Sequence, residues 1–241
     1  MLKSLLCFAL AGIIGPISWG LSPNTREEVP VAPDGVATML KQYNGFYVSD
    51  TTEKKVFLTF DLGYEAGYTA EVLDILKQHD IKGIFFLCGH YLTERDLVTR
   101  MISEGHTIGN HTDKHKDLPT LSVEGMTRDI MTFQTDFADQ YPDATPPVYF
   151  RPPKGRLDER MLRVAHENNL KTAMWSIAIV DWGKKPIEAQ KNADKIASRV
   201  HPGAVVLLHI ANSGMPAMLK LLIPQIFEKG YTFGTPTEII I

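Results

Sequence analysis

His111 and His115 form a histidine pair that could bind a divalent metal ion. Three residues separate them, so on a helix their imidazoles would lie about one turn apart. A metal ion bound in this way can activate water for hydrolysis. Two surface histidines can show the same spacing, so the pair alone does not establish a metal site.

Four further ionisable residues follow apolar, strand-like runs of the sequence. Asp61 could cap the next helix or act as a general base. Arg151 is either a surface arginine or a charge held near a carboxylate. His209 is either a hydrogen-bonded core histidine or a catalytic acid. Asp181 occupies a similar position a few residues after its strand-like run.

Strand-like and helix-like segments alternate through the sequence from residue 55 onward, which is typical of an α/β fold. Strand patterns cover 56–60, 83–87, 107–109, 148–150, 172–177, 204–208 and 238–241, and helix patterns cover 36–42, 69–79, 94–104, 122–140, 158–169, 187–200 and 215–228. Repeated units of this kind predict a parallel sheet covered by helices. The number of strands favours a barrel, although periodicity does not separate a barrel from an open sheet. In both folds catalytic groups lie past the carboxyl ends of strands, where the ionisable residues above occur.

Five short motifs in this order resemble those of the polysaccharide deacetylase family, the carbohydrate esterases built on the NodB homology domain. The motifs are TFDLG at 59–63, HTDKH at 111–115, RPPKG at 151–155, DW at 181–182 and LLH at 207–209. They are similar to the family patterns TFDDG, H(S/T)xxH and RPPxG, to the end of the fourth motif, and to LxH. The likeness spans roughly residues 55–235.

The resemblance implies an α/β fold of the distorted (β/α)7-type barrel kind and a role for each motif residue. Carried over by position, His111 and His115 bind the metal ion, Asp61 is the general base, Arg151 holds Asp61, His209 protonates the leaving amine and Asp181 orients that region. The implied cofactor is a divalent ion, with zinc favoured. Tyr64 and Trp182 could stack on a sugar ring, although Trp182 could equally form a wall of the core.

Leu62 departs from the family pattern, which has a metal-binding aspartate at this position. Leucine has no lone pair and cannot bind a metal ion. Three outcomes are open: weaker metal binding by two imidazoles and water, replacement of the missing carboxylate by Glu65, or loss of the metal in a glycan-binding pseudoenzyme.

The sequence around the motifs is similar to the branch that deacetylates N-acetylmuramic acid in peptidoglycan. The resembling stretches are 42–47, 61–69 and 175–182. This resemblance implies a hydrolase that removes N-acetyl groups from cell-wall glycan and forms muramic δ-lactam in spore cortex. The expected partner is therefore the peptidoglycan glycan strand.

Composition and the first residues indicate an exported, single-domain protein. The chain of 241 residues is 44% hydrophobic and 22% charged, with a net charge of −3, so it lacks the basic character of nucleic-acid-binding proteins. Residues 1–20 resemble a cleavable signal peptide, 21–54 an N-terminal arm and 55–241 the catalytic domain. We therefore expect a secreted, cell-wall-associated monomer without stable membrane insertion. After cleavage Cys88 would be the one remaining cysteine, which excludes an internal disulfide.

Overall fold

Parallel strands alternate with helices along most of the chain. The computed structural model describes residues 17–18, 28–183 and 185–241. The strands are β1 (Ile17–Ser18), β2 (Lys55–Leu62), β3 (Ile84–Leu87), β4 (Thr107–Asn110), β5 (Tyr149–Phe150), β6 (Arg156–Leu157), β7 (Lys171–Thr172), β8 (Ile177–Ala178), β9 (Ala204–His209) and β10 (Thr232–Phe233). The helices are α1 (Val36–Gln42), α2 (Thr69–Gln78), α3 (Arg95–Ser103), α4 (Val123–Gln140), α5 (Glu159–Glu167), α6 (Ala189–Ala197) and α7 (Met215–Glu228).

The main sheet has β2 near its centre and is parallel throughout. Its strand order is β7, β5, β4, β3, β2, β9, β8, and β10 pairs with the start of β2. The register places Asp61 of β2 opposite Phe86 of β3 on one side and His209 of β9 on the other. Two of the predicted site residues are therefore direct neighbours across a strand pair.

The segment 171–178 curls the sheet, because its two ends pair with opposite edges. Its first part, β7, pairs with β5, and its last part, β8, pairs with β9. The continuous strand predicted for 172–177 is therefore wrong. Between the two short strands, the carbonyl groups of Ala173 and Met174 accept hydrogen bonds from the Arg151 side chain. The predicted fold class, an α/β distorted (β/α)-type barrel, is confirmed.

Both faces of β2 are covered, which explains its nearly continuous apolar sequence. Leu58, Phe60 and Leu62 belong to a core cluster that includes residues of α2 and α7. Each fully buried side chain of this size contributes about 1.5–3 kcal/mol relative to exposure. Thr59 and Asp61 alternate with them and contact the Arg151 guanidinium instead. The alternation places apolar residues under the helices and polar residues at the site.

Local hydrogen bonds define several element boundaries. Ser122 caps α4 by accepting from the Gly125 N–H at 3.2 Å, as the sequence predicts. The strand predicted at 238–241 is wrong, because the last strand is β10. Residues 236–238 instead form a short 3₁₀ turn, which Thr235 and Glu238 close with reciprocal hydrogen bonds.

The described part of the N-terminal region packs on the barrel. In α1, Val36 and Leu40 are buried, and isolated bridges join Phe46 to Ala173 and Val48 to Ala204. Of the predicted signal peptide, residues 17–18 form β1, which pairs with β6, and the rest lies outside the described residues. Within the described residues, no helix is long and apolar enough to cross a membrane.

Candidate active site

The predicted site residues meet where the strands end. Asp61 and His209 lie at the ends of β2 and β9, and His111 and Arg151 directly follow β4 and β5. The backbone connects the last two elements, because the Arg151 N–H donates to the Asn110 carbonyl at 2.9 Å. The barrel thus places these four side chains at one mouth.

Asp61 is held as a carboxylate. It is 7% exposed, and Arg151 Nη1 donates to its Oδ1 at 2.8 Å. Burial alone would raise the pKa of Asp61, but the charge of Arg151, helped by His111 and His209, lowers it below the usual 3.8. Asp61 therefore remains ionised at neutral pH, and its Oδ2 is not bound by the arginine.

Arg151 is fully buried, and each part of its guanidinium has a partner. Besides Asp61, Nη1 reaches the Thr59 hydroxyl at 2.9 Å, Nε the Ala173 carbonyl at 2.9 Å and Nη2 the Met174 carbonyl at 3.1 Å. Its Cζ atom lies over the Phe86 ring, 4.1 Å from the ring centroid. This arginine therefore fixes both the carboxylate and the irregular segment of the barrel wall.

His111 presents one lone pair to the site. Its Nδ1 lies 2.8 Å from the Arg151 carbonyl oxygen, which can only accept, so Nδ1 is the protonated nitrogen. Nε2 then lies 3.6 Å from Asp61 Oδ2. Burial lowers the pKa of His111 to about 4 against the opposing charge of Asp61. The ring is therefore neutral at pH 7, as metal binding requires.

His115 lies beside His111, with ring centroids 5.0 Å apart. Its backbone has φ of 52°, and its N–H donates to the Thr112 hydroxyl at 3.0 Å, so a tight turn brings the second imidazole back to the first. Burial lowers its pKa, the charge of Asp61 opposes this, and the charge of Lys154 adds to the lowering. Both imidazoles are therefore neutral near physiological pH, and each can give a nitrogen lone pair to a metal ion.

The imidazoles of His111 and His115 can fill two positions in the coordination shell of a metal ion. Among the described residues, no group of three or more His, Cys, Asp or Glu side chains is arranged to bind a metal ion. Leu62 is 2% exposed and packs in the core cluster. Glu65 does not replace the missing ligand, because its carboxylate accepts from the Tyr91 and Thr69 hydroxyls at 2.5 Å each. Protein zinc sites with catalytic function usually have three protein ligands.

His209 and Asp181 form a second polar pair. Asp181 is fully buried and accepts from both the His209 backbone N–H at 2.7 Å and its Nδ1–H at 2.8 Å. Nε2 is then the ring nitrogen available to the cleft that His209 lines. Burial alone would lower the pKa of His209, but the hydrogen bond to Asp181 and the charge of Asp61 raise it above 6.5. The protonated form of the ring is thereby favoured.

Two adjoining clefts of about 540 and 500 Å³ open over these groups and share Asp61, His115, Trp182 and His209 in their walls. Trp182 and Tyr64 are each 62% exposed, so neither is a core residue, and Trp182 does not form the core wall that was the alternative. Their open rings beside a cleft suit contact with a sugar face.

The clefts also contain residues that sequence reasoning missed. His90 follows β3 and lines one cleft, and Lys154 lies inside the third motif and lines the other. His90 could have been found from its place after an apolar strand. Lys154 gave no signal of its own, because a lysine between a proline and a glycine is typical of any surface turn.

Comparisons with known proteins identify the family of this chain. A family model described as polysaccharide deacetylase matches residues 48–173. The peptidoglycan-N-acetylmuramic acid deacetylase PdaA of Bacillus subtilis is 36% identical over 227 residues, covering 93% of this chain and 86% of the relative. The solved structure of B. subtilis PdaA, a family 4 carbohydrate esterase, matches with a TM-score of 0.87 and 34% identity over 93% of this chain and 96% of that one.

A pseudoenzyme of the same carbohydrate esterase family is also similar. The Bacillus anthracis protein matches with a TM-score of 0.74 and 26% identity, over 81% of this chain and 68% of that one. A mutant of that pseudoenzyme has restored enzymatic activity. The fold is thus shared by deacetylases and a pseudoenzyme, so it does not by itself decide whether a member is active.

Proposed function

Because the chain belongs to the polysaccharide deacetylase family, we propose that it hydrolyses the N-acetyl amide of peptidoglycan amino sugars, and in particular of N-acetylmuramic acid. One observation supports this most directly. Asp61 and His209 are paired neighbours on β2 and β9, one held as a carboxylate and the other as a proton donor. Amide hydrolysis needs a base that takes a proton from the attacking water and an acid that protonates the leaving nitrogen.

Asp61 is the general base of the proposed reaction. Its Oδ2, which Arg151 leaves free, takes a proton from water as the water oxygen attacks the acetyl carbon. Arg151 keeps the other oxygen in place, so the carboxylate does not reorient during the reaction. The attack produces a tetrahedral oxyanion, for which a backbone N–H near Tyr64 is the proposed donor.

His209 is the general acid. An amide nitrogen leaves poorly unless it is protonated, and the protonated Nε2 of His209 supplies that proton as the C–N bond breaks. Acetate and a free amine are the products. Asp181 positions the ring and favours its protonated form through Nδ1.

His111 and His115 are the residues that would hold a divalent ion, and two imidazoles suit zinc. When bound, such an ion lowers the pKa of water and polarises the acetyl carbonyl. Because Leu62 adds no third ligand, we propose that the ion binds weakly. Water would fill the positions that the protein leaves open.

Tyr64 and Trp182 are the proposed sugar-contacting residues. Their exposed rings lie on the cleft that contains Asp61 and His209. The remaining proposals follow from the family and the first residues: export by the signal peptide 1–20, action outside the cytoplasm on the cell wall, and formation of muramic δ-lactam during sporulation. A monomer without nucleic-acid partners is the proposed state.

Acetate release from glycan strands freed of their peptides tests the proposed activity. We expect release by the wild-type protein and a rate lowered by about 10²–10⁴-fold in Asp61→Asn. Asp143→Asn, at an exposed position outside the clefts, is the matched control and should retain the wild-type rate. The proposal fails if the wild-type protein releases no acetate with or without added Zn²⁺ or Co²⁺.

Leu62 supports a second candidate function, a glycan-binding pseudoenzyme. The similarity to the B. anthracis pseudoenzyme is consistent with it. This candidate predicts binding of the same glycan strands without acetate release under any metal condition. Binding measured by calorimetry beside the acetate assay separates the two functions.

A further inference from the structure

Lys154 lies at the wall of the catalytic cleft in an unusual backbone conformation. It sits in the turn after β5, where its φ is 61° and that of Gly155 is 60°. A left-handed conformation is uncommon for a residue with a side chain, and such residues cluster at functional sites. The turn starts at Arg151, so the element that fixes the base also places this lysine.

The charge of Lys154 is not cancelled within the cleft. Its Nζ lies 4.0 Å from Asp117 Oδ2, the limit for an ion pair, and that same oxygen is in a much shorter contact with Arg156 Nη1. Its side chain is 53% exposed. Asp61, the only carboxylate among the described residues that line this cleft, is already paired with Arg151. A cation therefore faces the substrate space with its nearest carboxylate engaged elsewhere.

Lys154 also differs in type from the other described residues that line the clefts. Of the described residues that line the two clefts, it is the only lysine or arginine. The other polar groups in the cleft walls are the Asp61 carboxylate and the histidine imidazoles, and aromatic rings lie beside them. A neutral amino sugar has no group that needs this ammonium.

We propose that Lys154 recognises a carboxylate on the sugar that is deacetylated, and so makes the cleft selective for acidic over neutral amino sugars. This inference rests on the proposed function and deepens it. Muramic acid bears a lactyl carboxylate on the carbon next to the one that bears the acetamido group. Asp61, His209 and Lys154 line the same cleft, so a sugar whose acetamido group is placed between Asp61 and His209 would bring its lactyl arm into the cleft that Lys154 lines.

Recognition of this kind gives specificity without contributing to the chemical step. An exposed ammonium–carboxylate pair changes kcat/KM by about 1.4–5-fold, and a partly desolvated, hydrogen-bonded one by about 10–150-fold. The bound sugar would cover the half-exposed Lys154 side chain, so the larger range applies. The loss should appear only for substrates that have the carboxylate.

The test compares two substrates and three variants. Glycan strands freed of peptides are used with their lactyl carboxylates intact or converted to methyl esters. Lys154→Met should lower kcat/KM for the acidic strands at least about tenfold and leave the ester unchanged, whereas Lys154→Arg should retain most of the selectivity. Lys195→Met removes the same charge from α6, outside the cleft walls, and should act as wild type. Equal losses on both substrates, or no loss on the acidic one, would overturn the proposal.

Binding separates this inference from the proposed function. If the wild-type protein releases no acetate from either substrate, the deacetylase proposal fails, but the role of Lys154 is still measured by calorimetry. Tighter binding of acidic than of esterified strands, abolished in Lys154→Met, supports the inference. Equal binding of the two strands by the wild-type protein overturns it.

Discussion

Replacing Leu62 by aspartate should convert a weak metal site into a strong one. The family pattern has a metal-binding aspartate at this position. Leu62 packs in the core cluster, but it is the last residue of β2 and borders the cleft that Asp61 and His115 line. In Leu62→Asp the new carboxylate joins two neutral imidazoles, which completes the three-ligand set usual for catalytic zinc. Zinc affinity should rise, and acetate release in the presence of zinc should rise with it.

The metal-free variant should be less stable by an amount set by the burial of Leu62. Loss of a buried leucine side chain, 2% exposed here, costs about 1.5–3 kcal/mol, and an unpartnered buried carboxylate costs about 1–3 kcal/mol more. At about 2–4 °C per kcal/mol for a chain of this size, Tm should fall by about 5–24 °C. Zinc at 100 times its Kd should recover about 2.7 kcal/mol, or about 5–11 °C.

Differential scanning calorimetry with and without zinc measures both effects. Leu62→Asn is the matched control, because it loses the same packing but adds no charge, and its zinc response should stay small. Adding His111→Ala to Leu62→Asp should remove the zinc response. A Leu62→Asp protein whose Tm is insensitive to zinc would refute the assignment of His111 and His115 as metal ligands.

Three further substitutions or probes test other contacts of the site. Arg151→Met leaves the buried Asp61 carboxylate unpaired and should lower the free energy of unfolding, measured by urea titration, by about 3–5 kcal/mol. The control Arg163→Met, at an exposed position, should change it by less than about 0.5 kcal/mol. Equal urea midpoints for the two variants would contradict the stabilising role of the Arg151–Asp61 pair. Trp182→Ala should raise KM for glycan about tenfold at unchanged Tm, if aromatic stacking is worth about 1–1.5 kcal/mol, and an unaltered KM would exclude that contact. Burial raises the pKa of Cys88 to about 12, so iodoacetamide at pH 8 should label it only after unfolding; rapid labelling of the native protein would contradict its burial.

Local patterns were sufficient to predict many elements of the fold. Helix α7 begins and ends where its helical periodicity does, and so does α1. The sequence predicts one strand over 172–177, because no glycine, proline or charged residue interrupts this segment. Its division depends on Arg151, whose side chain takes the carbonyl groups of Ala173 and Met174. No local pattern contains a contact with a side chain that is distant in sequence.

Some features of the site can likewise be predicted from the sequence, and others depend on contacts between distant residues. The convergence of Asp61 and His209 was predictable, because parallel strands end at one edge of a sheet. The partners that set their pKa values were expected from the family resemblance, whereas the tautomer of His111 required coordinates, since it depends on the Arg151 carbonyl. The position of Lys154 also required coordinates, because it follows from a left-handed turn.

The pH dependence of kcat/KM for acetate release tests most directly whether Asp61 and His209 act together as base and acid. Activity should require ionised Asp61, whose pKa is lowered, and protonated His209, whose pKa is raised, so the plateau should extend from acidic pH to above pH 6.5. In Asp181→Asn the hydrogen bond that raises the pKa of His209 is weakened, so the alkaline limb should move to lower pH while the acidic limb stays. An alkaline limb that does not move in this variant would contradict the role of His209 as the acid.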